Sequence, residues 1–192
     1  MLERYEKVKE YVYGQYAKIY NEDLKIAALT HTASVDLSIT FIAMARGTNL
    51  ERAKVAALFH DYAQFVDNCP HSQHAKLSSL HAYKYLKECG LFKTTEIDDI
   101  TYAIRQHSKK ESFDSPLCEA LKDADVLARF LENPEKYRLE QPKNLYPSMN
   151  QGSVLNEKIK ISKEIEKLKK FKQKELTKKQ QNTYMVLMDY LR

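Results

Sequence analysis

Read from the N-terminus, the side chains able to do chemistry fall in a fixed order: His31, the adjacent pair His60 and Asp61 in ALFHDYAQF, then His81, His107 and Asp125 in LKDADVLARF. Neutral imidazole nitrogen and carboxylate oxygen are donors for divalent cations of hard or borderline character, and carboxylate also offsets the ion's charge. The doublet is the most informative element. AALF precedes it and an aromatic follows, and a carboxylate buried in such an apolar context is costly unless a positive charge sits beside it. The pattern predicts a metal site assembled from several helices.

On these residues the chain resembles the HD-domain metal-dependent phosphohydrolases, whose signature is a His, a distant His-Asp doublet and a final Asp in an A-D-x-L stretch. Here those are His31, His60, Asp61 and Asp125 in Ala124-Asp125-Val126-Leu127, and the likeness spans residues 24–134. His81 in LHAYKYL and His107 in AIRQHS look like the two additional ligands of the subgroup with a two-metal centre. A closer likeness is to the bacterial branch that includes diadenosine tetraphosphatases. The resemblance implies that His31, His60, Asp61 and Asp125 hold a first ion and that Asp61 bridges to a second, completed by His81 and His107. Two ions about 3.5–4 Å apart can share a hydroxide and neutralise phosphoryl oxygens during in-line displacement. Asp61, as the bridging ligand, would position that hydroxide.

Two departures bear on substrate. Gln64 stands three residues after Asp61, where many relatives carry lysine, and NCPHSQHAKLSS separates the doublet from His81. Arg105, Lys109, Lys110 and Arg129 lie within about a turn of the expected ligands and are candidates for substrate oxygens, with His74 beside them in a loop. The cofactor expectation is one or two divalent ions, with iron or manganese favoured and zinc, cobalt, nickel or magnesium compatible with the donors. The substrate expectation is a phosphorylated small molecule, a nucleotide or dinucleotide. Three alternatives stand beside this. The His-Asp set could be a polar core network without metal, with His81 and His107 surface or hydrogen-bonded histidines. The domain could bind metal or nucleotide without turnover and act through a partner. It could also run oxygen-dependent cleavage at a di-iron centre, as distant relatives do.

The elements that must position these residues are helical. Four Gly, five Pro and long stretches rich in Ala, Leu, Glu and Lys favour an all-α fold, an HD-type helical bundle with a C-terminal helical extension. Tyr5, Val8, Val12, Tyr16 and Ile19 share one face of a helix from Glu3 to Tyr20. A second helix runs from Leu24 to Arg46 and closes on Gly47. Asn49 caps a third, LERAKVAALFHDYAQF, in which Ala53, Ala56 and Ala57 permit close packing and the doublet lies near the end. A loop from Asp67 to Lys76 precedes a helix from Leu77 to Cys89, and Thr94 or Thr95 starts one ending near His107. Ser115 and Pro116 open the helix carrying Asp123 and Asp125, which lie about 200° apart around its axis, so only one can face a given ion. The A-D-x-L match selects Asp125. Asp36 and Asp67 read as surface acids.

Residues 1–23 are read as an N-terminal helix packing on the core, 24–135 as the core and 136–192 as a basic helical extension of the same domain. Helices are expected at 156–176 and 182–191. The extension carries a net charge of about +8 against about −3 for the remainder, so the basic character does not belong to the site. Few aromatics there could stack on bases, which argues against nucleic acid. Three cysteines without C-x-x-C spacing fit a reducing cytoplasm, and no uncharged apolar run reaches the roughly 20 residues needed to span a bilayer. A homodimer is compatible with the Tyr-rich helical faces.

Overall fold

The structure, a computed structural model, describes residues 2–133; the expected helices at 156–176 and 182–191 and the basic extension lie outside the described residues. Within them the chain forms α1 (Glu3–Tyr16), α2 (Glu22–Arg46), α3 (Leu50–Phe59), α4 (Tyr62–Val66), α5 (His74–Cys89), α6 (Thr94–Gln106) and α7 (Pro116–Glu132), with no strand among the described residues. The all-α expectation holds.

The centre of the bundle is α3, in which every residue from Ala53 to Phe59 is buried. A stretch buried on every side, with Lys54 its one charged member, marks a core helix, and its alanines let α1, α2, α6 and α7 approach. Tyr5, Val8, Val12 and Tyr16 of α1 are buried on one face, as their spacing predicts. α2 starts where the Asn21 side chain accepts from the Leu24 N–H at 2.9 Å and stops at Gly47, whose φ of 66° is left-handed. It runs along α7 with Val35, Ile39 and Ala43 buried. By length and mean hydropathy (1.4) α2 could cross a membrane. Its buried face, however, carries His31, Thr32 and Ser38, which belongs to a core helix rather than a lipid-facing one.

α1 ends at Tyr16 rather than Tyr20, so Ile19 lies beyond it, and α2 begins at Glu22 rather than Leu24; two further boundary differences matter to the site. The expected single helix through the doublet breaks at His60-Asp61: Asp61 sits at φ −109°, ψ 14°, and α4 begins at Tyr62. The Ser78 hydroxyl on α5 accepts the Ala63 N–H at 2.9 Å, so the break leaves no buried orphan donor there. α5 also starts at His74 rather than Leu77, after a turn in which Gln73 N–H donates to Pro70 O.

Asp36, read from sequence as a surface acid, ties three helices together. It accepts from Tyr5 Oη at 2.7 Å, and Lys54 Nζ on α3 lies 2.8 Å from its Oδ1 as an ion pair rather than an aligned hydrogen bond. The Lys54 ammonium is 4.5 Å from the Tyr5 ring centre and donates to Thr40 Oγ1. Lys54 is only 8% exposed, and a buried ammonium stripped of its carboxylate is strongly destabilising. Asp36→Ala should lower unfolding free energy by about 3 kcal/mol in chemical denaturation; a change within error would show that the pair holds nothing.

Candidate metal centre

Six buried side chains converge from five segments. His31 comes from α2, His60 and Asp61 from the α3–α4 break, His74 from the first turn of α5, His107 from the C-terminal cap of α6 and Asp125 from α7. They form two sets that share Asp61: His31, His60, Asp61 and Asp125 in one, and Asp61, His74 and His107 in the other. In the first set His31 Nε2 lies 3.1 Å from His60 Nε2, 3.5 Å from Asp61 Oδ2 and 3.3 Å from Asp125 Oδ1. In the second, His74 Nε2 and His107 Nε2 lie 3.1 and 3.2 Å from Asp61 Oδ1 and 3.1 Å from each other. Donors about 2.1 Å from one ion sit roughly 3–3.5 Å apart in octahedral or tetrahedral shells. The residues therefore fit a divalent cation in each set, with the two oxygens of Asp61 divided between them.

The imidazoles are oriented by their other nitrogens. His60 Nδ1 donates to Ala57 O (2.8 Å), His107 Nδ1 to Ile104 O (2.7 Å) and His74 Nδ1 to His71 O, each three residues back. That leaves the Nε2 lone pair facing inward. His31 is held differently, with Nδ1 donating to the Glu132 carboxylate at 2.9 Å.

Burial by itself would raise the carboxyl of Asp61, but His60, with hydrogen bonds from His107 and His31, outweighs it and holds the group well below the ordinary range. Asp125 is also held well below it, burial being outweighed by Lys110, His31 and Arg129. Burial disfavours the charged form of His31, yet the carboxylates of Asp125, Asp61 and Glu132 push it up to about 11. His107 moves the other way, since burial outweighs its contact with Asp61.

The structure brings together five of the six residues expected as ligands and replaces the sixth. His81 is not in either set: its ring points outward, Nε2 is 2.7 Å from Asp67 Oδ2, and its side chain is 38% exposed. Seven residues, about two helical turns, separate it from His74, so the two share a face of α5 but stand roughly 10 Å apart along its axis, and only the N-terminal turn of α5 reaches Asp61. The sequence reading places His74 in a loop as a substrate contact, whereas the structure makes it the first residue of α5. The missed cue was that α5 starts earlier, so that His74 is a helical residue.

Among the expected substrate cations, Arg105 and Lys109 are exposed and line no part of the cavity described below. Lys110 Nζ instead binds Asp125 Oδ2 at 2.8 Å. Arg129 Nε donates to Asp125 Oδ1 at 2.9 Å, and its Nη2 is 3.5 Å from Asp61 Oδ2. Asp123, on the other side of α7, pairs with Arg46 of α2, and burial pushes its carboxyl up to about 6. Glu132 was not anticipated. Asp125, Arg129 and Glu132 are spaced i, i+4, i+7 on one face of α7, a signal the sequence contained.

Beside the first set opens a cavity of about 460 Å³ lined by α2, the doublet segment and the end of α7, with His31, Asp61, Gln64, Phe65, Arg129 and Glu132 among its walls. His71, above it in the turn before α5, stacks on His74 with ring centres 4.5 Å apart and approaches Gln64 Oε1 at 3.3 Å.

Fold and site together define a helical domain built around a histidine–carboxylate metal cradle. The HD domain family model matches residues 15–129, more than half of the chain, and the protein belongs to that family. The fold is also similar to a crystal structure described as a predicted HD superfamily hydrolase from an uncultured Thermotogales bacterium, with 20% identity, a TM-score of 0.55, and coverage of 81% of this chain and 88% of that one. No curated protein matches the chain.

Two measurements check the centre. Protein purified with manganese should hold about two equivalents, falling to about one in His74→Ala and staying near two in His81→Ala by elemental analysis; the reverse order would return His81 to the site. The second is pH-dependent. Because the folded pKa of His31 lies above its ordinary 6.5, its contribution to stability is complete below that pH and lost as pH rises toward about 11. Asp61 and Asp125 contribute fully above their ordinary 3.8 and lose it as pH falls further. Melting temperature in chelator should therefore peak between these values, and a profile still rising above pH 7 would contradict the assignment.

Proposed function

We propose that the protein is a metal-dependent phosphohydrolase that cleaves a phosphate ester or anhydride of a small, nucleotide-sized metabolite. The observation that carries this reading is the divided carboxylate of Asp61, with one oxygen facing His31 and His60 and the other facing His74 and His107 at 3.1–3.5 Å. His31, His60, Asp61 and Asp125 would hold one cation, and Asp61, His74 and His107 the other. Bound there, divalent ions supply an activated water and neutralise charge on phosphoryl oxygens. Four imidazoles and two carboxylates suit iron or manganese, while zinc, cobalt and nickel share the same donor preferences.

The protein's own groups do the remaining work. Arg129 lines the cavity and lies against both carboxylates of the first set, where its guanidinium can donate to a phosphoryl oxygen. Lys110 fixes the second oxygen of Asp125, so that the carboxylate keeps its orientation. Gln64 puts a neutral amide at the cavity wall, and with its Oε1 turned to His71 the NH₂ is left to face substrate. Water attacks phosphorus, the P–O bond to the leaving group breaks, and the proton from water ends on the leaving oxygen. Cys69, Cys89 and Cys118 are free thiols, which supports a reducing compartment.

A neutral Gln64 also favours a second reading, in which the site binds metal and nucleotide without turnover and signals to a partner. Phosphate release from a panel of nucleotides, dinucleotides and simple phosphoesters, with manganese or iron added, separates the two. His60→Ala and Asp61→Ala should reduce turnover to background while circular dichroism stays helical. Full activity in either variant would refute the hydrolase, and tight nucleotide binding without release by the wild type would select the binding module.

A further inference from the structure

The cavity beside the centre does not have the character of a polyphosphate clamp. Its outer wall is one face of α2, where Asp23, Ile26, Ala27, Thr30 and His31 recur every three or four residues. Glu132, at the end of α7, stands across from it, anchored by His31 Nδ1 at 2.9 Å. Two carboxylates, Asp23 and Glu132, thus stand at the walls in addition to Asp61 of the centre. Among the described lining residues, Arg129 is the one guanidinium or ammonium group, and the partners seen for it are the metal-set carboxylates Asp125 and Asp61. The start of α2 would ordinarily attract anions. Here the Asn21 side chain takes the Leu24 N–H, and Glu22 and Asp23 fill the first turn, so that attraction is met within the chain. The remaining lining is uncharged, the apolar Ile26, Ala27 and Phe65 with the neutral polar side chains of Thr30 and Gln64.

From this charge arrangement we infer, resting on the hydrolase reading above, that the cavity selects phosphomonoesters. One phosphoryl group lies at the metal centre, a neutral hydroxyl-bearing group of nucleoside size lies in the cavity, and polyphosphate chains are turned away by Asp23 and Glu132. Carboxylates accept hydrogen bonds from vicinal hydroxyls and repel further phosphates. Apolar walls suit the flat face of a base, and a volume of about 460 Å³ has room for a nucleoside. The reaction transfers phosphoryl to water, breaks the P–O bond and leaves the proton on the released alcohol. This favours mononucleotides over the dinucleotides that the sequence resemblance suggests.

The test compares a nucleoside 5′-monophosphate with its triphosphate and the matching dinucleoside tetraphosphate on the full-length, manganese-loaded protein. Product chromatography gives kcat/KM, and calorimetry gives the affinity of monophosphate and triphosphate. The wild type should favour the monophosphate by about tenfold or more. Asp23→Lys should shrink that ratio about tenfold, chiefly through KM and Kd for the triphosphate, with metal content unchanged. Preferential cleavage of triphosphate or tetraphosphate by the wild type, or an unchanged ratio in Asp23→Lys, would overturn the inference while leaving the hydrolase standing. If none of the three is cleaved, the hydrolase reading fails, and the calorimetric preference still decides whether the cavity disfavours polyphosphate.

Discussion

Two carboxylates at the centre of a helical bundle, Asp61 and Asp125, are 1% and 3% exposed. Burying such groups ionised is unfavourable unless positive charge and hydrogen-bond donors surround them. The rest of the structure is arranged to provide that surround: four imidazoles, Lys110 and Arg129 all lie against one or both of the pair. A cation held in either set would add to that neutralisation, so the demand of the buried charges and the capacity for metal have the same physical origin.

That demand accounts for local features that would otherwise look like defects. The helix holding the doublet breaks because consecutive side chains on an α-helix point about 100° apart; moving Asp61 to φ −109° lets it turn between the two histidine sets. Three of the four imidazoles are steadied by a backbone carbonyl three residues back, an anchor available at a helix end or in its first turn. The fourth, His31, lies in mid-helix, where the carbonyls are already used by the ladder, and it takes Glu132 from α7 instead. The long pairing of α2 with α7 brings Glu132 and Asp125 to the same histidine.

The same pairing builds the cavity, so a single helix–helix contact sets both the orientation of a metal ligand and the shape of the space beside it. Arg129 sits at their junction, touching both carboxylates while facing the cavity. A group that binds there is therefore in contact with the residues that orient the metal ligands. Charge in that space is mixed, with Asp23 and Glu132 opposing Arg129, which makes selectivity a matter of how much negative charge a ligand brings beyond one phosphoryl group.

Much of this was legible in the chain itself. The apolar face of α1, the small residues of α3, the caps at Asn49 and Ser115 and the stop at Gly47 follow from periodicity and local hydrogen bonding, and the structure has them. His31, His60, Asp61, His107 and Asp125 were singled out by residue type and order, and the fold brings them into contact. The sequence reading favours His81 and puts His74 in the preceding loop. Both lie on one face of α5, and the choice depends on where α5 begins and which of its turns meets Asp61, a matter of packing between segments distant in the chain rather than of local preference. The partners of Asp36 and Glu132 were unreadable for the same reason, since they lie on other helices: Tyr5 and Lys54 for one, His31 for the other, although the spacing of Glu132 with Asp125 on α7 was legible. Residue types and spacing decided by themselves that this is a helical protein with a buried histidine–carboxylate set. Only the tertiary structure decided which side chains converge in each set and which charges face the cavity, because a buried charge is balanced by whatever the fold brings within a few ångströms, irrespective of distance along the chain.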